Sequence, residues 1–178
     1  MFQLTLIDVQ DAQLAKFLVR PLTELNTIGI EGPTNNDAFG YVCFSNLENI
    51  VKDNQSAQLW WDEHLPEWKQ RHKNVNGIYH VRNCSQGNDK KGKEFAHPFV
   101  YNNLIQIHNG TMNFLFFGPE HKKLENRVSV KDIDSQNFLK TLDYFVEQNP
   151  PLKPEHINHV IKNWGGTFAL MLIDKRTP

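Results

Sequence analysis

The apolar residues of this chain occur in short segments, and this limits what the chain can fold into. The longest uninterrupted apolar run has six residues, from Phe168 to Ile173, whereas a membrane-spanning helix needs about 20. The alternating segment Phe2–Ile7 is typical of a β-strand with a buried face. Ser135–Glu147 has apolar residues at helical spacing and predicts an amphipathic helix. We therefore expect a core built from short strands and amphipathic helices, with no segment in a membrane.

The order of the predicted elements favours an α+β fold. Strands come early, helices lie in the middle and late, and antiparallel hairpins are implied, which argues against a doubly wound parallel sheet. Asn102–Asn103 and Asn109–Gly110 predict tight turns, because asparagine and glycine tolerate positive φ. The 178 residues, 39% of them hydrophobic, are enough for a single domain over residues 1–178. The other predicted elements are strands Phe39–Phe44, Gly77–Arg82, Leu104–His108 and Thr167–Ile173, and helices Asp11–Leu25, Gln55–Lys73 and Pro154–Asn163.

Charge and cysteine content exclude further classes of protein. The net charge of -1 gives no basic surface for a nucleic acid. Two cysteines, Cys43 and Cys84, are too few for a disulfide framework, and no signal peptide precedes them. Cys43 lies in a predicted core strand, where a small buried side chain is expected. These features predict a cytoplasmic protein.

Polar residues are concentrated at the ends of predicted strands and at one helix start. These segments are His80–Gly87, Ala96–Phe99, His108–Gly110 and Asp132–Gln136. They supply a cation that can bind a carboxylate (Arg82) and an anion that can bind an ammonium group (Asp134). Asn109 and the backbone amide of Gly110 can stabilise an oxyanion. An α-amino acid carries both a carboxylate and an ammonium group, so this set of residues suits an amino-acid ligand.

Each of these residues also has a simpler interpretation. Arg82 can pair with a surface carboxylate, Asn109–Gly110 can be only a turn, and Asp134 can be only a helix cap. Three histidines, His80, His97 and His108, could together bind a metal, but their spacing matches no zinc motif. No metal and no other cofactor is therefore predicted.

Taken in order, the motifs resemble class II glutamine amidotransferase domains. The family's His-Thr-Arg strand, followed by a small residue, Thr and Gly, is matched by His80-Val81-Arg82 with Cys84, Ser85 and Gly87. Its Ala-His-Pro, His-Asn-Gly and Ser-Asp-Thr-Glu segments are matched by Ala96-His97-Pro98, His108-Asn109-Gly110 and, in relaxed form, Ile133-Asp134-Ser135-Gln136. A later strand of the family is matched by Gly166-Thr167-Phe168-Ala169 through Asp174. An early loop of the family is matched by Asn36-Asp37-Ala38-Phe39-Gly40. The order spans nearly the whole chain.

The resemblance implies both a fold and a set of site residues. The fold is the N-terminal-nucleophile hydrolase fold, a four-layer αββα sandwich of two antiparallel sheets, here shortened at its C-terminal end. By the same resemblance, Arg82 would hold the carboxylate of glutamine and Asp134 its ammonium group. Asn109 and Gly110 would form the oxyanion hole, and the backbone near Ser85 would line the pocket.

The family's nucleophile is missing from its expected position. The family begins Met-Cys-Gly-Ile and, after removal of methionine, attacks glutamine with the cysteine thiol while the α-amine acts as base. This chain begins Met1-Phe2-Gln3-Leu4, so Phe2, which has neither thiol nor hydroxyl, stands at the nucleophile position. Cys84 is the candidate for a relocated nucleophile, which would need His80 or His97 to activate it.

We therefore predict a catalytically degenerate amidotransferase-like domain, retained for binding or for a structural role. Its expected partners are glutamine or a related amino acid and another protein. Two alternatives remain at this point. The first is an active glutaminase subunit that supplies ammonia to a partner enzyme. The second is a structural module of a larger assembly such as a virus particle, in which case a virus would encode the chain.

Overall fold

The computed structural model describes residues 3–7, 38–54, 63–64, 77–82, 92–114, 121–124, 126–129 and 131–177. The chain divides into two compact units, Met1–Pro98 and Phe99–Pro178. The predicted helix Asp11–Leu25 and nearly all of Gln55–Lys73 lie outside the described residues, so these two predictions stay predictions. Among the described residues, no helix is long and apolar enough to cross a membrane.

The first unit contains a four-stranded antiparallel sheet. Its strands are β1 (Gln3–Ile7), β2 (Ala38–Cys43), β3 (Asn46–Asp53) and β4 (Gly77–Arg82), in the order β1-β4-β2-β3. Every residue of β2 and β4 is buried; β2 is apolar or aromatic throughout, whereas β4 also buries His80 and Arg82. Three of the four strands were predicted; β3 was not, because its polar residues Asn46, Glu48 and Asn49 hide the strand pattern.

Aromatic side chains form the core on one face of this sheet. Tyr41 of β2 stacks on Tyr79 of β4 with ring centroids 5.3 Å apart, and Phe39 lies 5.9 Å from Tyr41. Cys43 continues this face at the end of β2, and burial raises the pKa of its thiol to about 11. The buried position expected for Cys43 is confirmed, and the thiol there is unreactive at neutral pH.

The second unit contains a three-stranded antiparallel sheet covered by a helix. Its strands are β5 (Phe99–Tyr101), β6 (Leu104–Phe114) and β7 (Trp164–Asp174), in that order. The helices are α1 (His121–Leu124), α2 (Asp134–Gln148) and α3 (Pro154–Ile161). Phe138 of α2 packs edge-on against Trp164 of β7 at 5.3 Å and lies 6.4 Å from Phe168. The amphipathic helix predicted over Ser135–Glu147 is thus confirmed, and its apolar side covers the sheet.

The turn predicted at Asn109–Gly110 is wrong. β6 runs straight through both residues, and its eleven residues pair with β7 without a register shift. Gly110 adopts φ +120°, and a Cβ on it would overlap the carbonyl oxygen of Thr167. The glycine is therefore needed for close strand approach rather than for chain reversal. β7 likewise begins earlier than predicted, at Trp164 instead of Thr167, and includes Gly165–Gly166. A Cβ on Gly166 would overlap the Thr111 carbonyl oxygen, so this glycine too serves close strand approach.

The turn predicted at Asn102–Asn103 is confirmed, and it is tied to the far end of α2. Asn102 has φ 51°, and its Nδ2 donates to Asp143 Oδ2 at 2.7 Å and to Glu147 Oε1 at 3.2 Å. Arg127 contacts the same two carboxylates, at 3.5 and 2.7 Å. Burial raises the pKa of Asp143, while the Asn102 amide and the Arg127 charge act against that rise. Two carboxylates one helical turn apart repel each other, so Asn102 and Arg127 compensate a local excess of negative charge.

Replacing Asn102 by aspartate should destabilise the protein by about 1–2 kcal/mol at pH 7. The variant N102D loses the amide donor and adds a third negative charge beside Asp143 and Glu147, yet it retains a residue type that tolerates positive φ. The deficit should shrink near pH 4, where carboxylates begin to take up protons. Urea unfolding of N102D and of the control N103D, at the exposed neighbouring position of the same turn, measures this. Equal stabilities of the two variants at pH 7 would contradict it.

Asp174 ends β7 and collects four donors. Its carboxylate accepts the Leu152 N–H at 2.7 Å and the Arg176 N–H at 3.0 Å, and it forms a two-pronged pair with the Arg176 guanidinium at 2.7 Å for each contact. Burial would raise the pKa of Asp174, but hydrogen bonds from Arg176 and Leu152 outweigh burial and lower the pKa to about 2. The ionised carboxylate therefore fixes the segment before α3 to the end of β7.

The Asp174 contribution to stability should be present above about pH 4 and lost as the pH falls through 2, since its folded pKa lies below its unfolded value. We expect D174N to be about 2 kcal/mol less stable than the unmodified chain at pH 7, with the difference narrowing steadily between pH 4 and pH 2. Urea midpoints across this range measure it. E155Q, which changes an exposed carboxylate on α3, should differ little at any of these pH values. A pH-independent deficit in D174N would show that the charge is not responsible.

Candidate functional site

Arg82 is the last residue of β4 and is nearly fully buried, with 4% of its surface exposed. Its guanidinium carbon lies 5.9 Å from the centre of the Phe95 ring, in the short 3-10 helix Lys93–Phe95. Phe95 supports Arg82 from one side, a role that no sequence motif indicates. A guanidinium held in this way at a strand end can bind a carboxylate through two parallel hydrogen bonds.

His80, two residues before Arg82 on β4, meets His97 within the same unit. The two rings lie 4.3 Å apart between centroids, and both residues are buried. A Cβ on Gly40 would overlap the backbone carbonyl oxygen of His97, so Gly40 is what lets the His97 segment lie directly on β2. Among the described residues, no three histidine, cysteine or acidic side chains come together in a way that could hold a metal.

Several predicted site residues lie outside the described part of the chain. These are Phe2 at the nucleophile position, Cys84, the candidate relocated nucleophile, and Ser85 of the pocket lining. Their predicted roles stay predictions.

Asn109 and Gly110 lie on β6, the strand that Asp134 of α2 contacts within the second unit. Asn109 and Gly110 are half-buried residues of β6, and Asp134 is the half-buried first residue of α2. Asp134 Oδ2 accepts the backbone N–H of Met112, two residues beyond Gly110, at 2.9 Å. The same carboxylate accepts the Ser135 N–H through Oδ1 at 2.8 Å. Asp134 therefore joins the start of α2 to the strand that carries Asn109 and Gly110.

Asp134 is not the capping residue considered in the sequence analysis. The N-cap position is occupied by Ile133, whose N–H donates to Gln136 Oε1 at 3.0 Å. Asp134 follows it as the first helical residue, and its carboxylate is directed to β6 as well as to its own helix. A negative charge is also favourable in the first turn of a helix.

His108 and Ser135 make a contact that local sequence patterns do not reveal. His108 Nδ1 lies 2.7 Å from Ser135 Oγ, and both residues are buried. Ser135 Oγ also lies 3.3 Å from Asp134 Oδ1. Burial lowers the pKa of His108, and the Asp134 charge acts in the opposite direction. The two residues are 27 positions apart, so only the folded structure brings them together.

Any side chain at position 110 would overlap the backbone carbonyl oxygen of Thr167, so every substitution of Gly110 should destabilise the fold. We expect G110A to be destabilised by at least about 2 kcal/mol, because the variant combines a positive φ with overlap against backbone. T111A, at the exposed next position of β6, should change the free energy of unfolding by less than about 0.5 kcal/mol. Urea unfolding measures both, and a G110A variant as stable as T111A would refute the close approach of β6 and β7.

Known proteins share this arrangement of elements. No protein-family model matches the chain. Among curated proteins, the chain is 23% identical over 171 residues to glutamine–fructose-6-phosphate aminotransferase (isomerizing) of Buchnera aphidicola subsp. Acyrthosiphon pisum (strain APS). The match covers 96% of this chain and 26% of that enzyme. The chain thus spans about a quarter of the length of that relative.

Two solved structures extend the comparison to three dimensions. One is the glutamine phosphoribosylpyrophosphate amidotransferase of B. subtilis complexed with ADP and GMP, with a TM-score of 0.54 and 15% identity. The other is described as the allosteric regulatory enzyme of purine biosynthesis, with a TM-score of 0.55 and 16% identity. Each match covers 98% of this chain and 35% of the other. The predicted resemblance is confirmed: the chain has the N-terminal-nucleophile hydrolase fold of class II glutamine amidotransferase domains, with two antiparallel sheets and accompanying helices.

Proposed function

We propose that this chain is a glutamine-recognising domain that has lost the hydrolytic step of the family it resembles. The support is a fold match over 98% of the chain, together with a buried arginine, an Asn-Gly pair and an aspartate at the positions that the sequence resemblance assigns to the ligand. The fold alone does not imply a function. The function depends on what these side chains can bind.

The residues that the sequence resemblance assigns to the ligand have the chemistry to bind the two charged groups of an α-amino acid. Arg82, supported by Phe95, would bind the α-carboxylate through its two-pronged guanidinium. Asp134 would bind the α-ammonium group; its two oxygens offer about four acceptor positions, and its described donors are the Met112 N–H, the Ser135 N–H and the Ser135 hydroxyl. The Asn109 amide and the Gly110 N–H would bind the side-chain carbonyl of glutamine.

Loss of the reaction follows from Phe2 at the nucleophile position. A phenyl ring can neither attack the glutamine amide nor accept a proton, so a covalent acyl intermediate at that residue is excluded. Binding needs no nucleophile, and the remaining residues are therefore consistent with a domain that senses or holds an amino acid. Such a domain would act together with another protein, which is the second part of the proposal.

Titration calorimetry with glutamine and glutamate tests the binding proposal. We expect both amino acids to bind, and R82K to weaken their binding roughly 10- to 100-fold, because lysine keeps the charge but loses the fork geometry. The matched control is R127K, since Arg127 forms ion pairs with Asp143 and Glu147 on α2; its affinity should equal that of the unmodified chain. Absence of any binding would favour the purely structural alternative.

Ammonia release from glutamine tests the loss of catalysis. We expect none above background, and an intact mass that shows Met1 or Phe2 as the first residue of the purified protein. Steady release of ammonia that C84A abolishes would overturn the proposal in favour of an active glutaminase with Cys84 as nucleophile.

A further inference from the structure

The start of α2 holds β6 at two points, one on each side of Gly110. Before it, His108 Nδ1 lies 2.7 Å from Ser135 Oγ. After it, the Met112 N–H donates to Asp134 Oδ2 at 2.9 Å. We call His108, Met112, Asp134 and Ser135 the clamp. The segment of β6 between the two anchor points consists of Asn109, Gly110 and Thr111.

The backbone alternation of β6 places the Gly110 amide on the clamped side of the strand. The two-residue turn Asn102–Asn103 makes Tyr101 and Leu104 a hydrogen-bonded pair, so the amides of Leu104 and of every second residue after it face β5 rather than β7. The β5 ladder stops at Gln106, and beyond it the amide of Met112 is bound by Asp134 instead. Gly110 is also an even-numbered residue of β6, so its N–H faces the same side of the strand as the Met112 N–H and lies between the two anchor points.

The contacts within the clamp fix the direction of its hydrogen bonds. The Ser135 hydroxyl has one hydrogen and lies near both His108 Nδ1 and Asp134 Oδ1. A carboxylate oxygen only accepts, so the arrangement that satisfies both contacts has the hydroxyl donating to Asp134. Ser135 Oγ must then accept from His108, which requires the ring proton on Nδ1. A neutral ring with this tautomer gives a chain running from His108 through Ser135 to Asp134.

We propose that His108 and Ser135 are positioning residues that, through Asp134, hold the Gly110 amide where a ligand oxygen can accept from it. The ligand half of this inference rests on the proposed function, in which Gly110 binds the side-chain carbonyl of glutamine. The clamp itself is a property of the second unit and can be measured without ligand. A role limited to packing α2 on the sheet would depend on the volumes of these side chains and not on their donors.

Conservative pairs of variants separate donor chemistry from packing. S135T keeps the hydroxyl and S135A removes it. H108N places an amide N–H₂ near the position of Nδ1, whereas H108Q places its amide near the position of Nε2. The matched control is T141A, because Thr141 is an equally buried hydroxyl on α2 that donates to the Asn137 carbonyl oxygen at 2.8 Å, outside the clamp.

NMR of the unliganded protein gives the first readout. The ¹⁵N shifts of the His108 ring should show protonation at Nδ1 in the unmodified chain. The amide signals of Gly110 and Met112 should move in S135A and H108Q, stay near their original positions in S135T and H108N, and stay unchanged in T141A even where T141A lowers stability. A ring protonated at Nε2, or Gly110 and Met112 signals that respond to T141A as much as to S135A, would overturn the clamp.

Calorimetry with glutamine gives the second readout. S135A should weaken binding about 3- to 10-fold, and S135T should restore most of it, with T141A unchanged. Equal affinities of S135A and T141A would overturn the positioning role. If the unmodified chain binds no amino acid, the proposed function fails and the ligand half of this inference fails with it, while the NMR result still decides whether the clamp exists.

Discussion

The ladder between β6 and β7 is the constraint on which the rest of the second unit depends. Eleven residues of each strand pair without a register shift, and the two backbones approach so closely that glycine is needed on both sides. A Cβ on Gly110 would overlap the Thr167 carbonyl oxygen, and one on Gly166 would overlap that of Thr111. Both glycines have positive φ, at +120° and +117°. Close approach at these points fixes the surface on which α2 packs.

The position of α2 then determines the geometry of the candidate site. Phe138 packs against Trp164 and Phe168 of β7, and this brings the first two residues of the helix to β6. Asp134 and Ser135 can reach Met112 and His108 only because the helix begins there. At the other end of the helix, Asn102 donates hydrogen bonds to Asp143 and Glu147, and Arg127 forms ion pairs with both. The helix is therefore joined to the sheet by its apolar face in the middle and by polar contacts at both ends.

Local pattern was enough to predict the elements, and it failed where a residue's role depends on a distant strand. Apolar periodicity predicted α2, β1 and β4, and the tolerance of asparagine for positive φ predicted the Asn102 turn, because each of these signals lies within a few residues. Asn109–Gly110 has the composition of a turn, yet Gly110 serves a neighbour 57 positions later, Thr167. The His108–Ser135 contact spans 27 positions and leaves no periodic signal. Ordered motifs and not composition suggested Arg82, Asn109, Gly110 and Asp134, and the structure adds Phe95, Ser135 and Met112 as their supports.

The clamp shows how ligand binding could be retained in a chain that had lost catalysis, because it does not depend on a nucleophile. Under the proposed function, a nucleophile at the start of the chain would act on the ligand by a covalent step, and a phenylalanine in its place would remove that step completely. The Gly110 amide acts differently, since its usefulness depends on being held in place before the ligand arrives, and preorganised donors reduce the entropy lost on binding. Its support comes from two hydrogen-bonded anchors and a glycine-dependent ladder. None of these involves the position of the nucleophile. Under the proposed function, selection for binding would retain the clamp and the two glycines without any nucleophile, and the same contacts also hold α2 on the sheet.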